Sequence, residues 1–110
     1  MRGLRRALSG EGIKVHCKIH SLQGKSVLAA CDSVLLGKTL KKGELDFRVS
    51  EAFYKGSAVT EKELLSLMEE HSNINLLGEK VVAAALKKGL ISERDIIKIA
   101  GVPHAQIYRV

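Results

Sequence analysis

The sequence predicts an α+β fold, and three observations carry that expectation. Apolar and polar residues alternate with a period of two in the first half of the chain. Capping signals and helical stripes fill the second half, and strands first with helices later is the α+β order. The 110 residues are 45% hydrophobic and 27% charged, the balance of one ordinary globular domain.

The elements follow in chain order. Residues 1–12, MRGLRRALSGEG, read as a basic arm or a poorly ordered terminus, and residues 13–110 as one domain. No apolar stretch follows the arginines, so the arm is not a signal peptide. Ile13, Val15, Cys17 and Ile19 alternate with Lys14, His16, Lys18 and His20, a strand over about 13–20. A turn around Gly24 leads to a return strand at 26–31, apolar nearly throughout, as a strand covered on both faces is. Leu45, Phe47 and Val49 alternate with Asp46 and Arg48, a third strand at 44–49 of this antiparallel set. Ser50 to Tyr54 read as one short helical turn.

Thr60 with Glu63 is a capping box and opens a helix over 60–71. Asn73 or Asn75 caps a second helix at 75–88, which Gly89 ends. A third helix runs over 92–100, from Ser92 with Asp95 in its first turn to Gly101. Pro103 bars helix immediately afterwards, and a final strand at 105–109 joins the sheet.

Charge is distributed unevenly. Lys and Arg number 18 against 12 Asp and Glu, a net +6. Up to residue 55 there are 11 basic and 5 acidic residues, and beyond it 7 of each. The whole excess lies in the first half, which points to an acidic partner, nucleic acid being the commonest, or to a solvated basic surface. The candidate phosphate contacts are Arg2, Arg5, Arg6, Lys14, Lys18, Lys38, Lys41, Lys42 and Arg48. Phe47, Phe53, Tyr54 and Tyr108 are few and partly claimed by the core, which argues against a base-stacking platform and leaves phosphate contact dominant. No apolar run is long enough to span a bilayer, so no membrane partner is expected. Two cysteines fit a reducing cytoplasm better than a secreted scaffold.

Catalytic signals are weak. Leu36-Gly37-Lys38-Thr39 ends like a phosphate-binding loop, but the glycine that such a loop needs at position 32 is Asp32. Zinc on His16, Cys17, His20 and Cys31 is disfavoured, because His16 and His20 share a strand face that Cys17 does not. No metal and no cofactor is expected. Cys31 with His104 can be drawn as nucleophile and base, but a buried cysteine ending a strand is the better reading. A polar cluster around His104 is a separate candidate: Asp32, Lys38, Asn75, Glu79 and Gln106 fall at element ends that tend to share a rim. Asn75 and Glu79, four residues apart, would share a helix face.

Several segments together resemble a known family. They are Cys31-Asp32, Leu35 to Leu40, Val49-Ser50 with Phe53-Tyr54 and Gly56, Asn75-Leu76-Leu77-Gly78-Glu79, and Gly101-Val102-Pro103-His104-Ala105-Gln106. The chain resembles, from about Lys14 to Gln106, the small archaeal domain-of-unknown-function family 424. It departs in extending residues 1–12 beyond the usual start and in carrying Lys55 where a glycine pair is usual. The resemblance implies an archaeal cytoplasmic protein of α/β type and supplies no activity. Three functions stay open. The first is an RNA-binding accessory protein, one linked to translation for example. The second is a small enzyme or ligand-binding protein around His104, and enzymatic activity is the lesser expectation. The third is an adaptor that docks a protein partner on the final strand or a helix face.

Overall fold

The computed structural model describes residues 15–109. Strands β1 (Val15–Leu22) and β2 (Lys25–Asp32) form a hairpin, turned by Gln23 and Gly24 with φ of +54° and +80°. A 3-10 turn (Ser33–Leu35) leads to β3 (Thr39–Lys42), β4 (Leu45–Arg48), the short helix α1 (Glu51–Tyr54) and β5 (Ser57–Val59). Then come α2 (Glu61–Glu70), β6 (Asn73–Leu77), α3 (Glu79–Lys88), a 3-10 turn (Glu93–Asp95), β7 (Ile97–Ile99) and β8 (Val102–Tyr108).

Six strands make one mixed sheet in the order β5-β1-β2-β6-β8-β7, while β3 and β4 pair as a separate ribbon. The β2–β6 pair is parallel and the other pairings are antiparallel. The α+β reading therefore holds. So does the apolar second strand as a central one, because Leu28, Ala29, Ala30 and Cys31 are all buried between neighbours on both sides.

The sheet buries its two faces in different ways. On one face Val15, Cys17, Leu28, Ala30, Ile74, Leu76, Ala105 and Ile107 pack under Leu64 and Met68 of α2 and Val81, Val82, Ala84 and Ala85 of α3. The small side chains of α3 let that helix come close to the sheet. The opposite face is covered only in part, by residues 33–56, where Val49, Tyr54, Leu35, Leu36 and Leu40 pack on Ala29, Cys31 and Leu77.

The helices start and stop as local chemistry dictates. Thr60 and Glu63 form both arms of the capping box of α2. Gly89 N–H donates to Leu86 O and Leu90 N–H to Ala85 O, a Schellman end to α3. Exposed pairs Lys88–Glu69 (2.9 Å) and Lys87–Glu61 (3.4 Å) link the two helices.

Four sequence expectations need correction. The helix expected over 75–88 is split: residues 73–77 are β6, and helix begins only at Glu79. Ile74 and Leu76 face the helices while Asn75 and Leu77 face the other way, which is the period of a strand. The expected helix over 92–100 is one 3-10 turn followed by β7. Ser92 and Asp95 do form a capping box. The β-branched Ile96, Ile97 and Ile99 then favour a strand, and Ala100 and Gly101 (φ +51° and +84°) turn it into β8. The third strand, β4, pairs with β3 rather than with the main sheet, and β3 and β5 were not foreseen. The final strand joins the sheet as expected but starts earlier, at Val102.

Candidate functional site

The partly covered face gathers polar side chains that the fold does not fully use. Residues 33–56 are tied down over it by side chains of β1. His16 Nδ1 and Ser33 Oγ are 2.8 Å apart, and Lys18 Nζ donates to Ala52 O at 2.8 Å. His20 Nε2 bonds Phe53 O at 2.7 Å, and its ring stacks on Phe53 with centroids 4.7 Å apart. Phe53 meets Tyr54 edge-on, and the Tyr54 hydroxyl donates to Asn75 Oδ1 at 2.6 Å. Burial pushes the Tyr54 hydroxyl up to about 12, so it stays a proton donor.

Beyond Asn75 the sheet face is open. Asn75 lies opposite Gln106, Leu77 opposite His104 and Asn73 opposite Tyr108 in the β6–β8 register. Residues 104, 106 and 108 alternate onto this same face. His104 is therefore a diagonal neighbour of Asn75, with about 7–8 Å between their Cα atoms by sheet geometry. Its half-buried imidazole makes no side-chain hydrogen bond among the described residues, and burial holds its pKa below the usual 6.5. Gln106 is exposed, and Tyr108 is 69% exposed.

The structure thus brings His104, Asn75 and Gln106 together and adds Tyr54 and Tyr108 to them. Asn75 and Glu79 do not share a helix face, because Gly78 separates strand from helix. Glu79 is exposed in the first turn of α3. Lys38 is exposed beside the turn at Gly37 (φ +77°), where its carbonyl accepts from Val49 N–H and its N–H donates to Leu35 O. Asp32 serves α3 instead. Its carboxylate accepts from Lys80 N–H at 2.9 Å and from Val81 N–H at 3.0 Å, capping a helix 48 residues away in sequence. Gly78 makes this possible: its φ is +125°, and a Cβ there would lie 2.4 Å from Asp32 Cγ. Burial raises the Asp32 pKa above 3.8, opposed by those two N–H donors.

Cys17 and Cys31 are buried free thiols, each pushed up to about 12 by burial, so neither is a thiolate nucleophile at neutral pH. Cys17 points into the helix-side core, away from His16 and His20.

Of the candidate phosphate contacts, Arg2, Arg5, Arg6 and Lys14 lie outside the described residues. Lys18 is engaged with Ala52. Lys38, Lys41, Lys42 and Arg48 are exposed on or beside the β3–β4 ribbon, and Lys41 approaches Asp46 at 3.9 Å. One side of the ribbon carries Leu40, Lys42, Leu45 and Phe47 and faces Lys98 and Ile99 across a cleft of about 320 Å³. A larger cleft, about 640 Å³, lies at the other sheet edge, lined by Ile19, Val59 and Leu67 together with Lys62, Glu63 and Ser66.

The family of proteins of unknown function designated DUF424 matches residues 20–110, a range that takes in all the segments carrying the resemblance. The chain belongs to the DUF424 family. A solved structure, described as an uncharacterised conserved protein from Methanopyrus kandleri, is 32% identical to this chain with a TM-score of 0.72. The similarity covers 87% of this chain and 94% of that one. No functionally curated protein matches the chain. Among the described residues, no helix of this DUF424 protein is long and apolar enough to cross a membrane.

Proposed function

We propose that this DUF424 protein is an RNA-binding accessory protein of the cytoplasm that holds its target chiefly through phosphate contacts. The observation that carries the reading is the β3–β4 ribbon. Every position of its two strands except Leu40 is exposed, and Lys38, Lys41, Lys42 and Arg48 stand on or beside it. A ribbon that contributes so little to the core has another use, and its four basic residues against Glu44 and Asp46 leave a net +2 that favours an anionic polymer. The basic residues of the N-terminal stretch add to the same charge excess. Two unpaired thiols fit a reducing compartment, and a ribonucleoprotein such as the translation machinery is a suitable setting.

The test is binding of single-stranded RNA across a salt series. Affinity is expected to fall linearly on a double-logarithmic plot, and replacing Lys41 and Lys42 by Glu is expected to flatten the slope by about 1.4, from two lost contacts at about 0.7 each. No binding at low salt, or a charge-reversed variant that binds as the parent does, overturns the reading. Recovery of ribosomal proteins with the native protein, lost after nuclease treatment, would tie it to translation.

A second reading rests on one observation. His104 keeps an imidazole without a side-chain partner beside Asn75, which fits a small-ligand site. Replacing His104 by Ala separates the two: RNA binding retained with loss of a metabolite ligand favours the second.

A further inference from the structure

We propose that the uncovered part of the sheet face, centred on Gln106 and Tyr108, receives the bases of single-stranded RNA; this rests on the RNA reading above and assigns the site at which bases rather than phosphates are held. The geometry is that of a platform. Tyr108 on β8 lies opposite Asn73, and Gln106 lies opposite Asn75, so an aromatic ring stands beside a row of amides on one face. The Tyr54 hydroxyl occupies Asn75 Oδ1, which leaves the Asn75 NH₂ free to donate. Gln106 makes no side-chain hydrogen bond among the described residues, so both its donor and its acceptor are open. Amides offer the paired donor and acceptor that base edges require, and an exposed ring offers a stacking surface that any base can use.

Charge does not oppose the same occupant. Lys18, His16 and His20 are spent on the cover, and the strand positions left free on this face, Lys25, Asn73, His104, Gln106 and Tyr108, include no carboxylate. The acidic side chains of α2, Glu61, Glu63, Glu69 and Glu70, lie on the helix side of the sheet. The scarcity of aromatic residues in the sequence argued against stacking. Phe53 and Tyr54 are indeed spent on the cover, but Tyr108 is not: it is 69% exposed and makes no core contact. One free ring is enough to stack one base.

The experiment measures fluorescence anisotropy of labelled RNA octamers, each a homopolymer of one base, across a salt series. The proteins are the parent, Tyr108→Ala, Tyr108→Phe and Gln106→Ala. Both positions are exposed, and melting temperatures confirm that the variants fold. Tyr108→Ala is expected to weaken binding roughly 5- to 150-fold, the range of one lost base stack, with an unchanged salt slope and with rescue by Tyr108→Phe. Gln106→Ala is expected to narrow the spread among the four homopolymers. If both alanine variants bind as the parent does while reversal of Lys41 and Lys42 weakens binding, the platform is overturned and the RNA reading stands. If the parent binds no octamer at low salt, both fall.

Discussion

The helix-covered face of the sheet and its opposite face are built on the same strands by different means. On the helix side, aliphatic positions of β1, β2, β6 and β8 meet the apolar stripes of α2 and α3 and are almost wholly buried. On the other side a smaller apolar cluster around Val49, Tyr54 and Leu77 holds the cover, joined by single hydrogen bonds to His16, Lys18, His20 and Asn75, and the cover stops before Gln106 and Tyr108. The first face holds the larger share of the core, and the second a smaller one. The second also keeps exposed Gln106 and Tyr108, which stability does not require, and such groups mark where a partner is held. The comparison also separates motif residues by role. Asp32 and Gly78 belong to helix construction, whereas Asn75, His104 and Gln106 belong to the open face.

That division can be broken by substitution, most forcefully in the core. Ile74→Ala, under the helices, is expected to cost about 2–5 kcal/mol in urea unfolding. Gln106→Ala, on the open face, should stay within about 0.5 kcal/mol. Equal losses would mean that the open face is as structural as the closed one. Asp32→Ala should cost about 1–2 kcal/mol, the loss of a helix cap, and Asp32→Asn less, because an amide oxygen still accepts. The raised pKa of Asp32 adds a sign. The folded state holds its proton more tightly than the unfolded chain, so this group's contribution falls as pH rises from 3.8 through the raised value. Asp32→Asn should abolish that component in pH-dependent unfolding.

Tyr54→Phe removes the hydroxyl that joins the cover to Asn75, and about 1 kcal/mol should be lost. RNA affinity should fall less than in Tyr108→Ala, because the hydroxyl acts on a base only by orienting the Asn75 amide. The smallest effect is at His104. Burial lowers its pKa, so its contribution is present above 6.5 and is lost as pH falls through the depressed value. His104→Gln should flatten the stability profile on the acid side of 6.5, and an unchanged profile would mean that the imidazole is not held in the half-buried state.

What the sequence could and could not reveal follows from the range of each interaction. The β1–β2 hairpin, the Thr60–Glu63 box and the Gly89 stop were legible because their signals lie within a few residues. The break between β6 and α3 was not, because the cap of α3 comes from Asp32, 48 residues away, and the two asparagines of β6 imitate a cap in sequence. Residues 92–100 carry a true capping box and three isoleucines, and tertiary pairing with β8 decided for the strand. The gathering of Asn75, Gln106 and His104 was legible in part from their positions at element ends, but β6–β8 pairing, not a shared helix face, brings them together. Tyr54 joins them through the unforeseen cover, and only a three-dimensional placement shows that Tyr108 is free.

The most direct measurement is an NMR titration of the ¹⁵N-labelled protein with single-stranded RNA octamers at low salt. The account predicts that amide shifts concentrate in residues 38–48 of the ribbon and in 73–75 and 104–108 of the open face, while 61–70 and 79–88 in the helices stay fixed. Shifts centred on the helices, or none at all at saturating RNA, would contradict it.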